Sequence, residues 1–341
     1  MEKSQSKCAV IGYGSWATAI VKIFAENGVR VAWHILNPEV LASVREEGRN
    51  CKYLRDVDLD TSRMELSDDI NTVVRDADTV VMAMPSAFTK TFLEPLTTPL
   101  ADKTVISAVK GIVPGEYLSV AGYLIRRYDI PEHQMALVTG PSHAEEVARR
   151  LPTGCVAASA DQASAEAVQR AFMNEVFRVY THDDVVGVEL AGALKNVAAL
   201  CCGISDGCGM GDNTRALLIT RALSEISRLA ECMGGRKETL AGLAGMGDLI
   251  VTCTSMHSRN HRAGILIGQG KSAQEAMDEV GAVVEGYYAA RSAHELAQRY
   301  GVEMPISTAV YEVLYEGKSA APLIGVLMSR TPKKESDCSW L

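Results

Sequence analysis

A chain of 341 residues, 47% of them hydrophobic and 22% charged, has the composition of a globular protein and the length of about two domains. Its formal net charge of −8 argues against nucleic acid or an anionic membrane surface as a partner, because both attract an excess of lysine and arginine. An anionic ligand would need a local cluster of cations or backbone amides.

The cysteines and the N-terminus predict a cytoplasmic protein. The nine cysteines form no C-x-x-C pair and are scattered through apolar segments, which is typical of reduced thiols. Cys201, Cys202 and Cys208 have no nearby histidine to complete a zinc site, so we expect no metal. No signal peptide precedes the first strand, and no apolar run approaches the roughly 20 residues that span a bilayer, so we expect no stable membrane insertion.

The first half of the chain predicts an α/β domain with a Rossmann-type doubly wound sheet at residues 1–184. Near-continuous apolar runs rich in β-branched residues alternate with amphipathic stretches, which is typical of a parallel sheet covered on both faces. A helix at Ser15–Glu26 follows the first run and ends at Asn27-Gly28. The predicted strands are residues 8–12, 30–35, 79–84, 104–110, 135–139, 153–159 and 177–181.

The second half predicts an all-helical domain. After residue 184 the strand patterns give way to helical periodicity, which continues to about residue 330. The polar residues 331–341 are expected to form a flexible tail. The predicted helices are residues 185–201, 213–233, 273–280, 286–300 and 305–315.

The turn Gly12-Tyr13-Gly14-Ser15-Trp16-Ala17 joins the first strand to the first helix, as in a dinucleotide-binding fingerprint. Gly12 permits the tight turn, and Gly14 lets the main chain approach a pyrophosphate at the helix N-terminus. Ala17 stands in place of the third glycine and is small enough for close packing. The second strand ends without an acidic residue for NAD or an arginine for a 2′-phosphate, so NAD(H) and NADP(H) both remain open.

Lys195 is the lysine with the most informative surroundings. On a helix its neighbours one turn away are Ala191, Gly192, Ala198 and Ala199, which are too small to cover its side chain. Desolvation beside such a gap would lower the pKa of the lysine, so that it exchanges protons near neutrality. The alternative is a lysine that lies along apolar surface with its ammonium in water.

Two polar clusters follow this lysine. Asp248 ends a glycine-rich run, with Thr252 one helical turn later, and is placed to meet a lysine or a substrate hydroxyl. Ser258 is expected to cap a helix whose first turn carries Arg259 and Arg262. Free amides together with guanidinium groups suit a phosphate, although an ordinary basic surface turn is the alternative.

Further polar residues stand where predicted strands end, the edge at which open α/β sheets bind ligands. Lys110 ends the fourth strand and is either a ligand contact or an exposed strand-end lysine. Gly140 and Ser142 follow the fifth strand, and their amides and hydroxyl are placed to reach a ligand. A nicotinamide cofactor, a proton-donating lysine, a carboxylate and a phosphate clamp together predict the reduction of a phosphorylated ketone or aldehyde.

These motifs resemble those of the soluble NAD(P)-dependent sn-glycerol-3-phosphate dehydrogenases of the bacterial biosynthetic type. The resemblance runs from about residue 8 to about residue 330. It rests on the fingerprint at Gly12 and, in chain order, on Val109-Lys110-Gly111, Gly140-Pro141-Ser142, Gly192-Ala193-Leu194-Lys195-Asn196, Gly245-Met246-Gly247-Asp248-Leu249, Ser258-Arg259-Asn260 and Val283-Val284-Glu285-Gly286.

The resemblance implies a homodimer that reversibly reduces dihydroxyacetone phosphate to sn-glycerol 3-phosphate for phospholipid synthesis. It implies that Lys195 is the general acid/base. The implied substrate contacts are Lys110, Gly140, Ser142, Lys195, Asp248, Ser258, Arg259 and Asn260. The cofactor contacts, with Gly12 and Gly14 of the fingerprint, are Ser15, Trp16, Lys110, Ala144, Arg259, Val283 and Glu285. Leu36 stands near a position where many relatives carry arginine, which weakens any transfer of NADP preference.

Two other functions remain open. The β-hydroxyacid and ketopantoate reductases pair a similar Rossmann domain with a helical domain and also use a lysine, but a clamp with Arg259 favours a phosphorylated substrate over a simple carboxylate. A nucleotide-sensing or scaffold protein would bind the cofactor without turnover.

Overall fold

The computed structural model describes residues 7–332 and 334–335, without the side chain of residue 323. The chain divides into two compact units: residues up to Val109 with Val120–Val185, and Lys110–Ser119 with the chain from Val186 onward. The sequence pattern predicts that Lys110–Ser119 belong to the first domain. This segment belongs instead to the second unit, since Ile112 packs in that unit's hydrophobic core. Most of the predicted tail, residues 331–341, lies outside the described residues.

The strands of the described chain form one eight-stranded sheet and one short hairpin. They are β1 (Lys7–Ile11), β2 (Arg30–His34), β3 (Met64–Ser67), β4 (Thr79–Met82), β5 (Thr104–Ser107), β6 (Ile112–Val113), β7 (Leu118–Ser119), β8 (Met135–Thr139), β9 (Thr153–Ala158) and β10 (Phe177–His182). The parallel order β3-β2-β1-β4-β5-β8 is that of a doubly wound dinucleotide-binding sheet. β9 pairs antiparallel with β8, and β10 pairs parallel with β9.

All seven predicted strands are confirmed, to within a few residues at their ends. β3 was not predicted because it is a four-residue edge strand without a buried residue, so it lacks the apolar run that marks the other strands. The hairpin of β6 and β7 was also missed, since two residues in each strand are too few to show a pattern.

The helices of the first unit connect its strands. They are α1 (Ser15–Glu26), α2 (Pro38–Glu47), α3 (Ile70–Arg75), α4 (Thr89–Leu93), α5 (Val120–Tyr128), α6 (Ala144–Ala148) and α7 (Gln162–Phe172). α1 begins and ends where the sequence predicts. Its buried face includes Ile20 and Phe24, and the ring of Phe24 packs edge-on against Phe172 of α7 at 4.7 Å.

The second unit is helical apart from the hairpin. Its helices are α8 (Val185–Gly207), α9 (Asp212–Cys232), α10 (Asp248–Thr254), α11 (Arg259–Gly268), α12 (Ala273–Val280), α13 (Glu285–Tyr300), α14 (Pro305–Tyr315) and α15 (Ala320–Met328). The five predicted helices are confirmed. α8 runs six residues beyond its predicted end, because Cys202–Gly207 continue the same small and apolar pattern.

Among the described residues, α8 is the one helix long and apolar enough to cross a membrane. This corrects the expectation that no apolar run approaches that length. The helix lies in the core of its unit, because 83% of its apolar 18-residue stretch is buried.

Glycines bring α8 and α11 into main-chain contact. A Cβ on Gly203 would lie 2.1 Å from the carbonyl oxygen of His261 and 2.9 Å from the Cα of Gly264. One turn later, a Cβ on Gly207 would lie 3.0 Å from the Cα of Gly268. Side chains at these positions would force the helices apart, so the glycines fix the place of α11 on α8.

A buried carboxylate caps another helix of this unit. Glu225 of α9 is 2% exposed and accepts hydrogen bonds from the main-chain N–H groups of Ile306 (2.6 Å) and Ser307 (3.1 Å), at the start of α14. Burial raises the pKa of Glu225 to about 7, although these donors favour the charged form. Glu225 therefore takes the place of an N-cap side chain, which α14 lacks.

We expect Glu225→Gln to flatten the dependence of stability on pH. The folded pKa lies above the ordinary value, so the contribution of Glu225 to the free energy of unfolding is complete at low pH and is lost as the pH rises through about 7. Urea midpoints between about pH 5 and pH 8 should fall less in Glu225→Gln than in the wild type. Glu231→Gln, an exposed site on the same helix, serves as the control. Equal slopes in wild type and Glu225→Gln would contradict this assignment.

Candidate active site

Lys195 lies in the middle of α8 and is only 5% exposed. Its ammonium donates to a carboxylate oxygen of Asp248 and to the hydroxyl of Thr252 (2.7 Å). The alternative of an ammonium in water is therefore wrong. Burial, helped by the nearby charge of Lys110, outweighs the opposing effect of Asp248 and lowers the pKa of Lys195 to about 8. A lysine in this state exchanges protons close to neutral pH, as the sequence predicts.

Asp248 is the shared partner of two lysines. It is 1% exposed, and while one carboxylate oxygen accepts from Lys195, the other accepts from Lys110 at 2.9 Å. Burial by itself would raise the pKa of Asp248, but the two ammonium groups outweigh burial and hold that pKa below its usual value. The cluster therefore carries one negative and two positive charges, and its net positive charge suits an anionic or oxyanion-forming ligand.

The glycine-rich run before Asp248 forms a π-helical turn, Leu243–Gly247. The N–H of Gly247 donates to the carbonyl of Gly242 at 3.2 Å, and a Cβ on Gly245 would lie 2.3 Å from the carbonyl oxygen of Leu240. This turn places Asp248 at the first residue of α10. The hydroxyl of Thr252 donates to the carbonyl of Asp248 at 2.6 Å, so its oxygen is free to accept from the ammonium.

Lys110 enters this cluster from Lys110–Ser119, the segment of the second unit that contains the hairpin. Its side chain is 18% exposed and pairs with the buried Asp248, so the alternative of an exposed strand-end lysine is wrong. Its carbonyl accepts from the side chain of Asn196 at 3.3 Å, which ties the segment to α8.

Asn196 is a site residue whose role is not predicted from the sequence. Its side-chain oxygen accepts from Asn260 at 2.9 Å, and the oxygen of Asn260 accepts from the N–H of Gly286 at 2.8 Å. The amides thereby connect α8, α11 and the start of α13. The available signal was an amide next to Lys195 in an otherwise apolar helix, since such a group needs partners when buried.

The helix N-terminus predicted at Ser258 is confirmed, and phosphate binding there stays a prediction. Ser258 caps α11 by accepting from the N–H of His261 at 3.2 Å, and it is 4% exposed. Arg259 is exposed and, within the described residues, has no ion-pair partner. The buried Nε of Arg262 likewise has no hydrogen-bond partner within them. Among the described residues, no carboxylate therefore neutralises the guanidinium group of Arg259 or that of Arg262.

In the first unit, the turn after β1 has the form that a dinucleotide requires. Gly12 has a φ of +122°, and a Cβ there would lie 2.5 Å from the carbonyl oxygen of Ala83, so only glycine fits. No atom lies within 4 Å of a Cβ position on Gly14, which leaves room for a pyrophosphate at the N-terminus of α1. Ser15 and Trp16 are the first residues of α1, and the buried indole nitrogen of Trp16 has no partner within the described residues.

The turn after β8 also requires a glycine. Gly140 has a φ of +141°, and a Cβ there would lie 3.0 Å from the Cα of Cys155. The hydroxyl of Ser142 donates to the carbonyl of Gly140 at 2.9 Å, and Ala144 begins α6. Of the remaining predicted contacts, Val283 and Glu285 flank the start of α13 in the second unit.

Comparison with known proteins decides the family. Residues 7–165 match the family model described as the N-terminus of NAD-dependent glycerol-3-phosphate dehydrogenase, and residues 184–324 match the model of its C-terminus. The chain belongs to the NAD-dependent glycerol-3-phosphate dehydrogenase family.

Individual relatives agree with this family. The chain is 44% identical over 331 residues to a glycerol-3-phosphate dehydrogenase [NAD(P)+] of Clostridium perfringens, covering 97% of this chain and 99% of the relative. A crystal structure of glycerol-3-phosphate dehydrogenase from Coxiella burnetii superposes with a TM-score of 0.89 at 33% identity, covering 96% of this chain and 99% of that chain. A 2-dehydropantoate 2-reductase of Geobacter metallireducens, at 12% identity, a TM-score of 0.58 and coverage of 92% and 100%, shares the fold alone.

Membership of this glycerol-3-phosphate dehydrogenase family confirms three predictions. The chain is an NAD(P)-dependent oxidoreductase, its N-terminal domain is of the Rossmann type, and its C-terminal domain is helical. The residues present fit the cofactor, because Gly12 and Gly14 leave the N-terminus of α1 accessible to a pyrophosphate.

The residues after β2 indicate no preference between NAD(H) and NADP(H), the two cofactors of this dehydrogenase family. His34 is 3% exposed, and burial lowers its pKa, so it offers no cation for a 2′-phosphate. The side-chain oxygen of Asn37 accepts from Glu39 and Val40 and thereby caps α2. Leu36 is 47% exposed and apolar.

No group of three or more His, Cys, Asp or Glu side chains is placed to hold a metal ion in the described ranges. The eight cysteines in those ranges are free thiols, and Cys338 lies outside them.

Proposed function

We propose that this chain catalyses the NAD(P)H-dependent reduction of dihydroxyacetone phosphate to sn-glycerol 3-phosphate and the reverse oxidation. The observation that carries the proposal is the buried pair of Lys195 and Asp248, in which the lysine has a pKa of about 8. A proton donor of that pKa, next to a net positive cluster, is what the reduction of an anionic ketone requires. The names of the relatives agree with this substrate.

In the proposed mechanism, Lys195 is the general acid of the reduction. The fingerprint residues Gly12 and Gly14 would hold NAD(P)H, which when bound would supply the hydride for the carbonyl carbon, so that the electron pair of the C=O bond moves onto the oxygen. Lys195 gives the proton at Nζ to that oxygen, which completes the alcohol and leaves a neutral amine. Asp248 orients the ammonium, and the positive charge of Lys110 stabilises the developing alkoxide. In the oxidation, the neutral amine of Lys195 removes the proton.

The phosphate of the substrate is assigned to the N-terminus of α11. Ser258 and the amides of the first turn offer donors, and Arg259 offers a guanidinium group that has no ion-pair partner among the described residues. The further proposed substrate contacts are Lys110, Gly140, Ser142, Asp248 and Asn260. The proposed cofactor contacts are Gly12, Gly14, Ser15, Trp16, Lys110, Ala144, Arg259, Val283 and Glu285.

Arg259→Ala is expected to raise KM for dihydroxyacetone phosphate about 10- to 100-fold, since a hydrogen bond to a charged group contributes about 1.5–3 kcal/mol. Some loss of cofactor affinity should accompany it. Steady-state kinetics measure the effect, and dihydroxyacetone, which lacks the phosphate, is the control substrate. If KM for the phosphorylated ketone stayed unchanged, the phosphate would bind elsewhere.

One assay separates the proposed reaction from its alternatives. The purified protein is mixed with NADH or NADPH and with dihydroxyacetone phosphate or ketopantoate, and cofactor oxidation is followed by absorbance. We expect turnover with dihydroxyacetone phosphate alone. Turnover with ketopantoate would favour the ketopantoate reductases, with which the fold is shared. Cofactor binding without turnover of either ketone would favour a nucleotide-sensing protein.

The cellular setting is part of the same proposal. We infer a homodimer in the cytoplasm whose product supplies phospholipid synthesis, without stable insertion in a membrane. The free cysteines agree with a reducing compartment, and the burial of α8 agrees with a helix that serves as a protein core.

A further inference from the structure

A second, partly buried ionic cluster lies near the C-terminal end of α8, away from the lysine pair. Asp206 accepts from the Nε and Nη2 atoms of Arg215 at 3.2 and 3.0 Å, and from Nε2 of His261 at 2.7 Å. Asp206 is 14% exposed at its side chain, and His261 as a residue is 3% exposed. A carboxylate that accepts two charge-assisted hydrogen bonds from a guanidinium group is fixed in place, and it fixes the imidazole in turn.

His261 connects this cluster to the proposed phosphate clamp. It is the third residue of α11, and its main-chain N–H donates to the capping hydroxyl of Ser258. Its other ring nitrogen, Nδ1, lies 3.4 Å from the carbonyl oxygen of Ser255, in the loop that leads to the cap. The side chain of His261 therefore contacts the loop and α8, while its main chain contacts the capping Ser258.

α8 carries both Lys195 of the proposed active site and Asp206 of the second cluster. Lys195 and Asp206 are eleven positions apart, which is about three helical turns, so they lie on the same side of α8. The glycine contacts at Gly203 and Gly264 bring the main chains of α8 and α11 together, and side-chain contacts add to them at the first turn of α11. His261 with Asp206 supplies one such contact, and Asn260 with Asn196 supplies the other.

The geometry points to His261 and Asp206 as positioning residues that orient the first turn of α11, so that Ser258 and Arg259 face the phosphate of the substrate. This inference rests on the proposed function, because it assigns a role in binding that phosphate. Loss of the His261–Asp206 contact would let the first turn of α11 rotate, which weakens phosphate binding while Lys195 and Asp248 keep their own contact.

The test compares four variants in steady-state kinetics. His261→Phe removes the donor while it fills the space, and Asp206→Asn removes the charge while it keeps the shape. Both are expected to raise KM for dihydroxyacetone phosphate about tenfold, with kcat changed by less than about threefold. His261→Gln retains an N–H donor and should restore most of the affinity. Asp212→Asn is the matched control, since Asp212 also pairs with Arg215 (3.0 Å) but has no bond to His261 among the described contacts, and it should leave KM unchanged.

The outcomes separate this inference from the proposed function. If Arg259→Ala raises KM but His261→Phe and Asp206→Asn leave it unchanged, the positioning role is wrong while the clamp stands. If the variants lost kcat and stability without a change in KM, or if His261→Gln did not restore the affinity, the pair would serve folding alone. Either result would overturn the positioning role. If the wild-type protein does not reduce dihydroxyacetone phosphate, the proposed function itself fails. Should His261→Phe not fold, the isosteric Asp206→Asn decides.

Discussion

Lys195→Ala is expected to lower kcat for the reduction of dihydroxyacetone phosphate about 10²-fold or more, because the nascent alkoxide loses its proton donor. Affinity for NAD(P)H should change little, since the removed ammonium contacts Asp248 and Thr252 rather than the fingerprint turn. Asp248 keeps Lys110 as a partner, so the variant does not leave a buried carboxylate without a cation. Stopped-flow or steady-state turnover, together with a cofactor titration by fluorescence, measures both effects.

A second buried lysine provides the control for this substitution. Lys103 is 7% exposed and donates to the carbonyl oxygens of Arg75 (3.2 Å) and Ala77 (2.9 Å), with no role in the proposed site. Lys103→Ala should lower stability and leave the kcat of the folded enzyme intact. Near-wild-type turnover of Lys195→Ala would remove Lys195 from the mechanism.

Asp248→Asn is expected to lower kcat by a similar factor, about 10²-fold, for a different reason. The substitution leaves Lys110 and Lys195 close together without the carboxylate that both contact. Since Asp248 raises the pKa of Lys195 against the effect of burial, its loss should move that pKa below about 8. The general acid then loses its proton at a lower pH.

The pH dependence of the residual activity tests this prediction. In Asp248→Asn, the decline of kcat/KM for the reduction at alkaline pH should begin at a lower pH than in the wild type. Thr252→Val, which removes the neutral acceptor of the same ammonium, is the matched control and should shift the decline less. An unchanged or upward-shifted decline in Asp248→Asn would mean that Lys195 is not the titrating group.

Much of this structure could be predicted because its signals are local. The strands of a sheet covered on both faces are continuous apolar runs, and Gly12 and Gly14 stand at the strand–helix junction that a pyrophosphate requires. The cap at Ser258 follows from its residue type and its place at the start of a helical pattern. Such features depend on a few neighbouring residues, so a pattern in the sequence reveals them.

Other features depend on packing between distant segments. The assignment of Lys110–Ser119 to the second unit follows from the burial of Ile112 among helices that come much later in the chain. The bond between Asp206 and His261 joins residues 55 positions apart. No sequence pattern predicts the place of Lys110–Ser119 or the bond between Asp206 and His261. The packing of α8 with α11 and with the hairpin determines both.

The pH dependence of kcat/KM, measured in both directions of the reaction, tests the role of Lys195 most directly. The reduction requires the ammonium, so its rate should fall as the pH rises through about 8. The oxidation of sn-glycerol 3-phosphate requires the neutral amine, so its rate should rise through the same pH. A phosphate monoester titrates near pH 6, outside this window. Opposite limbs that share one midpoint near 8 are the predicted result. Profiles with the same sign in both directions, or flat profiles across that range, would contradict the assignment of Lys195 as the general acid/base.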